Sequence, residues 1–254
     1  MILVVTGTDT DVGKTVVSAA LAACALDAGR RVAIYKPTQT GVAPGQAGDV
    51  QSIGDWLGNP PSLGLEEGAR LADPMAPVDA ALHAGGARAA QALPVLRDHL
   101  RRVQELALEN DVVIVEGAGG ILVSLTLAGD TIVDVAGALG ARLVVVTRPH
   151  LGTLNHTALT LEAALARGFA NGVLVLGSFP NEPTALHEIN RRNLRALAEG
   201  LGWTWVPGPP AEVVGSEDPG ERTRILHGAG RRLAPVFEDQ PVLAHAVSSP
   251  GAEG

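Results

Sequence analysis

An α/β fold with a mostly parallel central sheet and helices on both faces is predicted by three observations. Short apolar runs recur along the chain, and most are apolar at every position, as strands covered on both faces should be. Amphipathic helical patterns separate these runs, so successive strands need right-handed crossovers, which make the sheet parallel. The first run is followed at once by a glycine-bearing turn and a helix start, a unit that open α/β sheets set at the carboxyl ends of their strands.

Taken in order, Ile2–Val5 is the first strand and Thr15–Ala28 an alanine-rich first helix. Val32–Tyr35 is the second strand. From Gly41 to Gly86 the chain is rich in Gly and Pro. No strand is predicted there, only loops and short helices over the carboxyl edge of the sheet, with one helix at about Asp49–Leu57. A helix follows at Leu96–Leu108, where Leu96, Leu100, Val103 and Ala107 share a face. Strands at Val112–Val115, Leu143–Val146 and Val173–Leu176 alternate with helices at Ile132–Leu139, Leu154–Ala166 and Thr184–Glu199, and Trp203–Val206 is a weaker strand. Gly29, Gly140, Gly168 and Gly202 punctuate helix ends and turns. Residues 1–235 read as one domain. From 236 to 254 the pattern fades, and Ser248-Ser249-Pro250-Gly251-Ala252-Glu253-Gly254 reads as a flexible tail.

Composition narrows the function. The 254 residues suit one large α/β domain, and 46% of them are hydrophobic, which suffices for a sizeable core. The net charge is −8 and no basic cluster occurs, so nucleic acid is not an expected partner. The single cysteine, Cys24, excludes an intramolecular disulfide framework and reads as a small apolar core residue. No run is long enough to span a membrane, and no charged segment precedes the first strand. A cytoplasmic protein without a signal peptide is expected.

Three strand-end motifs carry chemistry. Gly7-Thr8-Asp9-Thr10-Asp11-Val12-Gly13-Lys14-Thr15 joins the first strand to the first helix. Backbone N–H groups and the positive end of a helix dipole converge in such a turn, making a phosphate cradle. Lys14 supplies a cation for β/γ-phosphates, and the Thr15 hydroxyl is placed for Mg²⁺. Five residues, not four, separate Gly7 from Gly13, so the loop is a lengthened variant with room for a second substrate. The fold is thus P-loop NTPase-like. Val112-Val113-Ile114-Val115-Glu116-Gly117-Ala118-Gly119-Gly120 ends a buried strand in a carboxylate suited to Mg²⁺, followed by glycines whose amides can approach an anion. Tyr35-Lys36-Pro37-Thr38-Gln39-Thr40-Gly41 leaves the second strand at the same edge, where Lys36 can meet charge on a transferring phosphoryl group.

In order and spacing, these motifs and Leu151-Gly152-Thr153-Leu154-Asn155-His156 resemble the dethiobiotin synthetase family, over about residues 1–235. The resemblance implies a ligase that takes 7,8-diaminononanoate, CO₂ and ATP with Mg²⁺ and closes a ureido ring through a carbamate and a carbamic–phosphoric anhydride. It implies Lys14 and Lys36 as the active-site lysines. Thr15, Asp49 and Glu116 become the metal ligands, with Asp55 an alternative near Asp49. Thr10, Thr40, Gly117, Gly152, Thr153, Leu154 and Asn155 become substrate contacts. Nucleotide contacts fall on Asp11, Val12, Gly13, Val16, Asp49, Glu116, Gly117, Ala118, Gly119, Gly177, Ser178, Val206, Pro207 and Gly208, besides Lys14 and Thr15. In the family the helix starting near Thr153 comes from the other subunit, which implies a homodimer with active sites at its interface.

One position departs from the family pattern. Leu176-Gly177-Ser178 stands where many members carry an Asn that reads adenine, and a glycine offers no side-chain amide. Weak discrimination among nucleotide bases is therefore expected, unless Asn181 or backbone groups read the base. Two other classes share the phosphate loop. A partitioning-type switch ATPase usually has an extra lysine early in its loop, and Thr8 to Val12 contain none. A cobyrinate-type amidoligase needs a glutaminase domain with its own nucleophilic cysteine.

Overall fold

The computed structural model describes residues 1–216 and 218–238. The elements run β1 (Ile2–Gly7), α1 (Lys14–Asp27), β2 (Val32–Gln39), α2 (Asp49–Leu57), β3 (Leu63–Arg70), α3 (Pro77–Gln91), α4 (Leu96–Glu109), β4 (Val112–Gly120), α5 (Ile132–Ala138), β5 (Arg142–Thr147), α6 (Thr153–Leu165), β6 (Val173–Leu176), α7 (Ala185–Gly200), β7 (Thr204–Pro207), α8 (Glu212–Gly215) and α9 (Pro219–Arg232), then a 3₁₀ turn at Ala234–Phe237. The strands form one sheet in the order β3-β2-β4-β1-β5-β6-β7, and every neighbouring pair is parallel.

Strand alternation explains the continuous apolar runs. Leu3, Val5, Ile34, Ile114 and Val144 join one buried cluster with α1 and α2, which Leu226 and Ala229 of α9 complete. Val4, Ala33, Val113, Val115 and Val145 join a second cluster on the opposite face with residues of α4, α5, α6 and α7. Successive side chains point to opposite faces, and both faces are covered, so no polar position is needed within a strand.

The structure corrects the sequence reading in several places. β3 lies inside the segment from 41 to 86 where no strand is predicted, and it pairs with β2 from Val32↔Leu63 to Gln39↔Arg70. Its sequence, Leu-Gly-Leu-Glu-Glu-Gly-Ala-Arg, lacks an apolar run because it is an edge strand and only partly covered. Glu66 pairs with Arg102 of α4, and Glu67 pairs with Arg70. β2 and β4 run on past their predicted ends at Tyr35 and Val115, so Lys36 and Glu116 lie on strands. α9 has no counterpart in the sequence reading and packs on α1. Cys24 is half-buried, not a core residue. Val236 is buried in the first cluster, so ordered structure passes the expected boundary at 235. The tail from Ser248 to Gly254 lies outside the described residues.

Candidate functional site

The site opens where β2 and β4 part. Their pairing ends at Tyr35↔Val115, and β2 continues against β3 alone. The next residue on each strand, Lys36 and Glu116, meets across the gap: Lys36 Nζ lies 2.9 Å from Glu116 Oε1 and 2.5 Å from Asp49 Oδ2. It also donates to the Gly117 carbonyl at 3.2 Å. Lys36 and Glu116 are both buried. Burial alone would pull the Lys36 ammonium down in pKa. The charge and hydrogen bonds of Glu116 and Asp49 outweigh it and hold the group above the ordinary lysine value.

The phosphate loop borders this cluster. Gly13 caps α1 at φ 96, a left-handed conformation that a glycine adopts without strain. Lys14 Nζ donates to the Asp9 carbonyl at 2.9 Å, folded over its own loop. Burial, then the charge of Lys36, lower its pKa to about 8, against the raising pull of Glu116, Asp49 and Asp11. The Thr15 hydroxyl donates to Glu116 Oε1 at 2.8 Å. Together these groups line a cavity of about 810 Å³ whose walls also include Thr10, Asp11, Gly13, Val16, Gln39, Thr40, Ala118, Gly119 and Ser178.

The donor set fits a hard divalent cation. Thr15 Oγ1, Asp49 and Glu116 are all oxygen donors, and Glu116 Oε2 is buried without a hydrogen-bond partner among the described residues. An orphaned carboxylate oxygen at such a place calls for a cation or donor. Among the described residues no group of three or more His, Cys, Asp or Glu side chains could hold a metal. Two carboxylates and a hydroxyl leave positions open for phosphate and water, the arrangement Mg²⁺ favours. Asp55 does not line the cavity; its carboxylate accepts from Asn59.

A family model described as an AAA domain matches residues 2–204. The chain is 49% identical over 198 residues to an ATP-dependent dethiobiotin synthetase of Rhodococcus jostii, covering 77% of this chain and 81% of the relative. It is 49% identical over 197 residues to the enzyme of that name from Mycobacterium avium, covering 78% and 83%. The chain belongs to the dethiobiotin synthetase family. Solved structures with the same fold include a chain of the MinC:MinD cell division protein complex of Aquifex aeolicus, at 13% identity and TM-score 0.51 over 95% of this chain and 98% of that one. An ATP complex of Cyanothece McdA matches at 12% identity and TM-score 0.52 over 92% and 96%. Identity so low shows the fold alone.

The remaining residues implied by the family resemblance fall into three places. Val12, within the loop, turns its side chain into the first core cluster. Gly177 packs against the loop: a Cβ there would stand 2.6 Å from the Val12 carbonyl oxygen. Pro207 and Gly208 line a second cavity of about 310 Å³ with Asn181, Phe179, Arg191 and Arg232, while the Val206 side chain is in the core. Gly152 caps α6 at φ 89, the Thr153 hydroxyl is 2.8 Å from that of Thr147, and Leu154 and Asn155 are exposed. None of these four lines the large cavity of its own chain. Sequence reasoning set the segment from 41 to 86 over this edge but did not name Val42, Ser52, Trp56 and Pro74–Pro77 as cavity walls, nor Val123 beyond β4. It also missed Gln39, although that residue sits inside a motif it had singled out.

Proposed function

We propose that this chain is an ATP-dependent dethiobiotin synthetase, closing the ureido ring on 7,8-diaminononanoate with CO₂. The observation that carries the reading is a second buried ammonium, Lys36, beside the phosphate-loop Lys14 in one cavity. Nucleotide binding alone requires one such lysine. A reaction that brings a carbamate against a γ-phosphate requires more cationic charge at the meeting point.

In this reading one substrate amine adds to CO₂ and loses a proton, giving the carbamate. A carbamate oxygen then attacks the γ-phosphorus as the bond to ADP breaks. The second amine adds to the carbamic carbon, phosphate departs with the carbamate's oxygen, and a proton is lost as the ring closes. The protein has little covalent work. It binds, aligns and neutralises anions. Lys14 and the loop amides from Asp11 to Val16 hold the triphosphate. Lys36 faces the carbamate and the γ-phosphate, with Gly117 to Gly119 beside them. Thr10 and Thr40 hold amine and carbamate through their hydroxyls. Thr15, Asp49 and Glu116 would hold Mg²⁺, which would supply positive charge against the triphosphate. Ser178, Pro207 and Gly208 would flank the nucleoside.

The reading includes a homodimer. The N-terminus of α6, at Gly152 to Asn155, would bind the substrate carboxylate of the neighbouring subunit through free amides. The position of these residues outside their own chain's cavity supports this, as does the exposure of Leu151 at 81%. No described helix is long and apolar enough to cross a membrane. A cytoplasmic location, where ATP is available, belongs to the same proposal. The test is mass-spectrometric detection of dethiobiotin from diamine, bicarbonate, Mg²⁺ and ATP. Product that requires all four supports the reading, and ATP hydrolysis indifferent to diamine would sink it.

A further inference from the structure

Gln39 bridges the two ends of the loop from 40 to 48. Its Nε2 donates to the Thr40 carbonyl at 3.1 Å, and its Oε1 accepts from the Asp49 backbone N–H at 2.8 Å. The side chain is buried and lines the large cavity. Thr40 begins the loop, and Asp49 ends it as the first residue of α2. The carboxylate of Asp49 then reaches Lys36.

The need for this bridge follows from α2. The first N–H groups of a helix have no partners within it, and the residue before the helix usually caps one through its side chain. Here that residue is Gly48, which has no side chain. Nor can it have one without rearrangement: a Cβ would stand 2.6 Å from Glu67 Oε1, 2.9 Å from Gln39 Oε1 and 3.0 Å from an Arg70 guanidinium nitrogen. The cap is supplied from β2 instead. Gln39 satisfies the Asp49 amide, and Gln51 Oε1 accepts from the Gly48 amide. Arg70 holds the outer side of the loop through the Gln46 carbonyl and Gln51 Oε1.

We infer that Gln39 is a positioning residue: it couples Thr40 to Asp49 across the loop and thereby sets the Asp49 carboxylate against Lys36 and Glu116. The functional consequence rests on the proposed role of Asp49 as a metal ligand. The structural consequence does not.

Gln39→Met keeps the length of the side chain and removes both hydrogen bonds. Two readouts apply to it. Hydrogen exchange at the Asp49 and Val50 amides should accelerate by about tenfold while exchange in β1 and β4 stays unchanged, the local effect of an unpaired buried amide. The Mg²⁺ concentration for half-maximal turnover should also rise about tenfold, and in an Asp49→Asn background the same substitution should add less than about twofold, because the two residues act as one unit. Unchanged exchange at Asp49 would overturn the inference, as would a metal effect that persists in full without the Asp49 carboxylate. If Asp49→Asn alone leaves the metal requirement untouched while Gln39→Met still accelerates exchange, the metal role of Asp49 fails and the positioning role stands. Should Gln39→Met not give a cooperative melt, Gln39→Asn carries both readouts, since its amide is one methylene too short to span both partners.

Discussion

At the residue scale, Lys14 and Lys36 are the two cations, and their surroundings divide the work between them. Among the described residues Lys14 has a backbone carbonyl as its hydrogen-bond partner, and burial lowers its pKa to about 8, so an incoming phosphate would restore the charge that burial disfavours. Lys36 is fixed by two carboxylates. Lys14→Ala should abolish turnover and leave the circular dichroism spectrum intact; near-normal turnover would remove it from the mechanism. Lys36→Ala should lower kcat more than it weakens nucleotide binding, because its charge matters most where the carbamate meets the γ-phosphate. A loss of nucleotide affinity at unchanged kcat would contradict that role. Gly177 makes a further point. The strand end where an adenine-reading Asn would sit is pressed against the Val12 carbonyl. Gly177→Asn should therefore displace the phosphate loop and depress turnover with every nucleotide, not restore a preference for ATP. In the natural protein CTP, GTP or UTP should support kcat/KM within about tenfold of ATP, a difference of about 1.4 kcal/mol. Strict use of ATP would assign base reading to Asn181 or to the backbone at Pro207 and Gly208.

At the scale of elements, the pair formed by β2 and α4 carries a pH dependence of its own. His99 is fully buried, its Nδ1 lies 2.8 Å from Tyr35 Oη, and its Nε2 has no partner among the described residues. Burial lowers its pKa, against the weaker raising pull of Asp98 and Asp130. A histidine held neutral in the folded state loses stability as pH falls below the unfolded value of about 6.5, because only the unfolded chain then takes up the proton freely. The slope from this group is at most about 1.4 kcal/mol per pH unit. Urea unfolding of His99→Gln should show a flatter decline between pH 6.5 and 5 than the natural protein; parallel declines would clear His99 of the effect. The same region shows what sequence could and could not reveal. Strands covered on both faces, such as Val112–Val115, were legible because nothing but apolar side chains fits there. β3 was not, because an edge strand is only partly covered and carries charges, Glu67 pairing with Arg70 of the same strand and Glu66 with Arg102, which sequence does not place beside it. Lys14, Thr15, Lys36 and Glu116 were legible because local motifs at strand ends specify them. The sequence placed α2 at its observed bounds but left Asp49 and Asp55 both open as the carboxylate at the site, because which of them reaches Lys36 depends on how α2 packs against β2.

At the scale of the whole molecule, the sheet delivers β1, β2 and β4 to one edge, and the cavity there is lined by Lys14, Thr15, Lys36, Asp49 and Glu116 but by none of the residues proposed for the substrate carboxylate. That division predicts a homodimer. Leu151 before α6, Leu154 on it, and Leu186 and Ile189 on α7 are exposed apolar side chains that association would cover. Light scattering should find a dimer at assay concentrations, and an active monomer would contradict the arrangement. The central claim is that a carbamate, not water, attacks the γ-phosphorus. Oxygen accounting tests it most directly. With ¹⁸O-labelled CO₂ in brief turnover, the account predicts one labelled oxygen in each phosphate released and one in the ureido carbonyl of dethiobiotin. Unlabelled phosphate, released without dethiobiotin, would contradict it and leave a nucleoside triphosphatase.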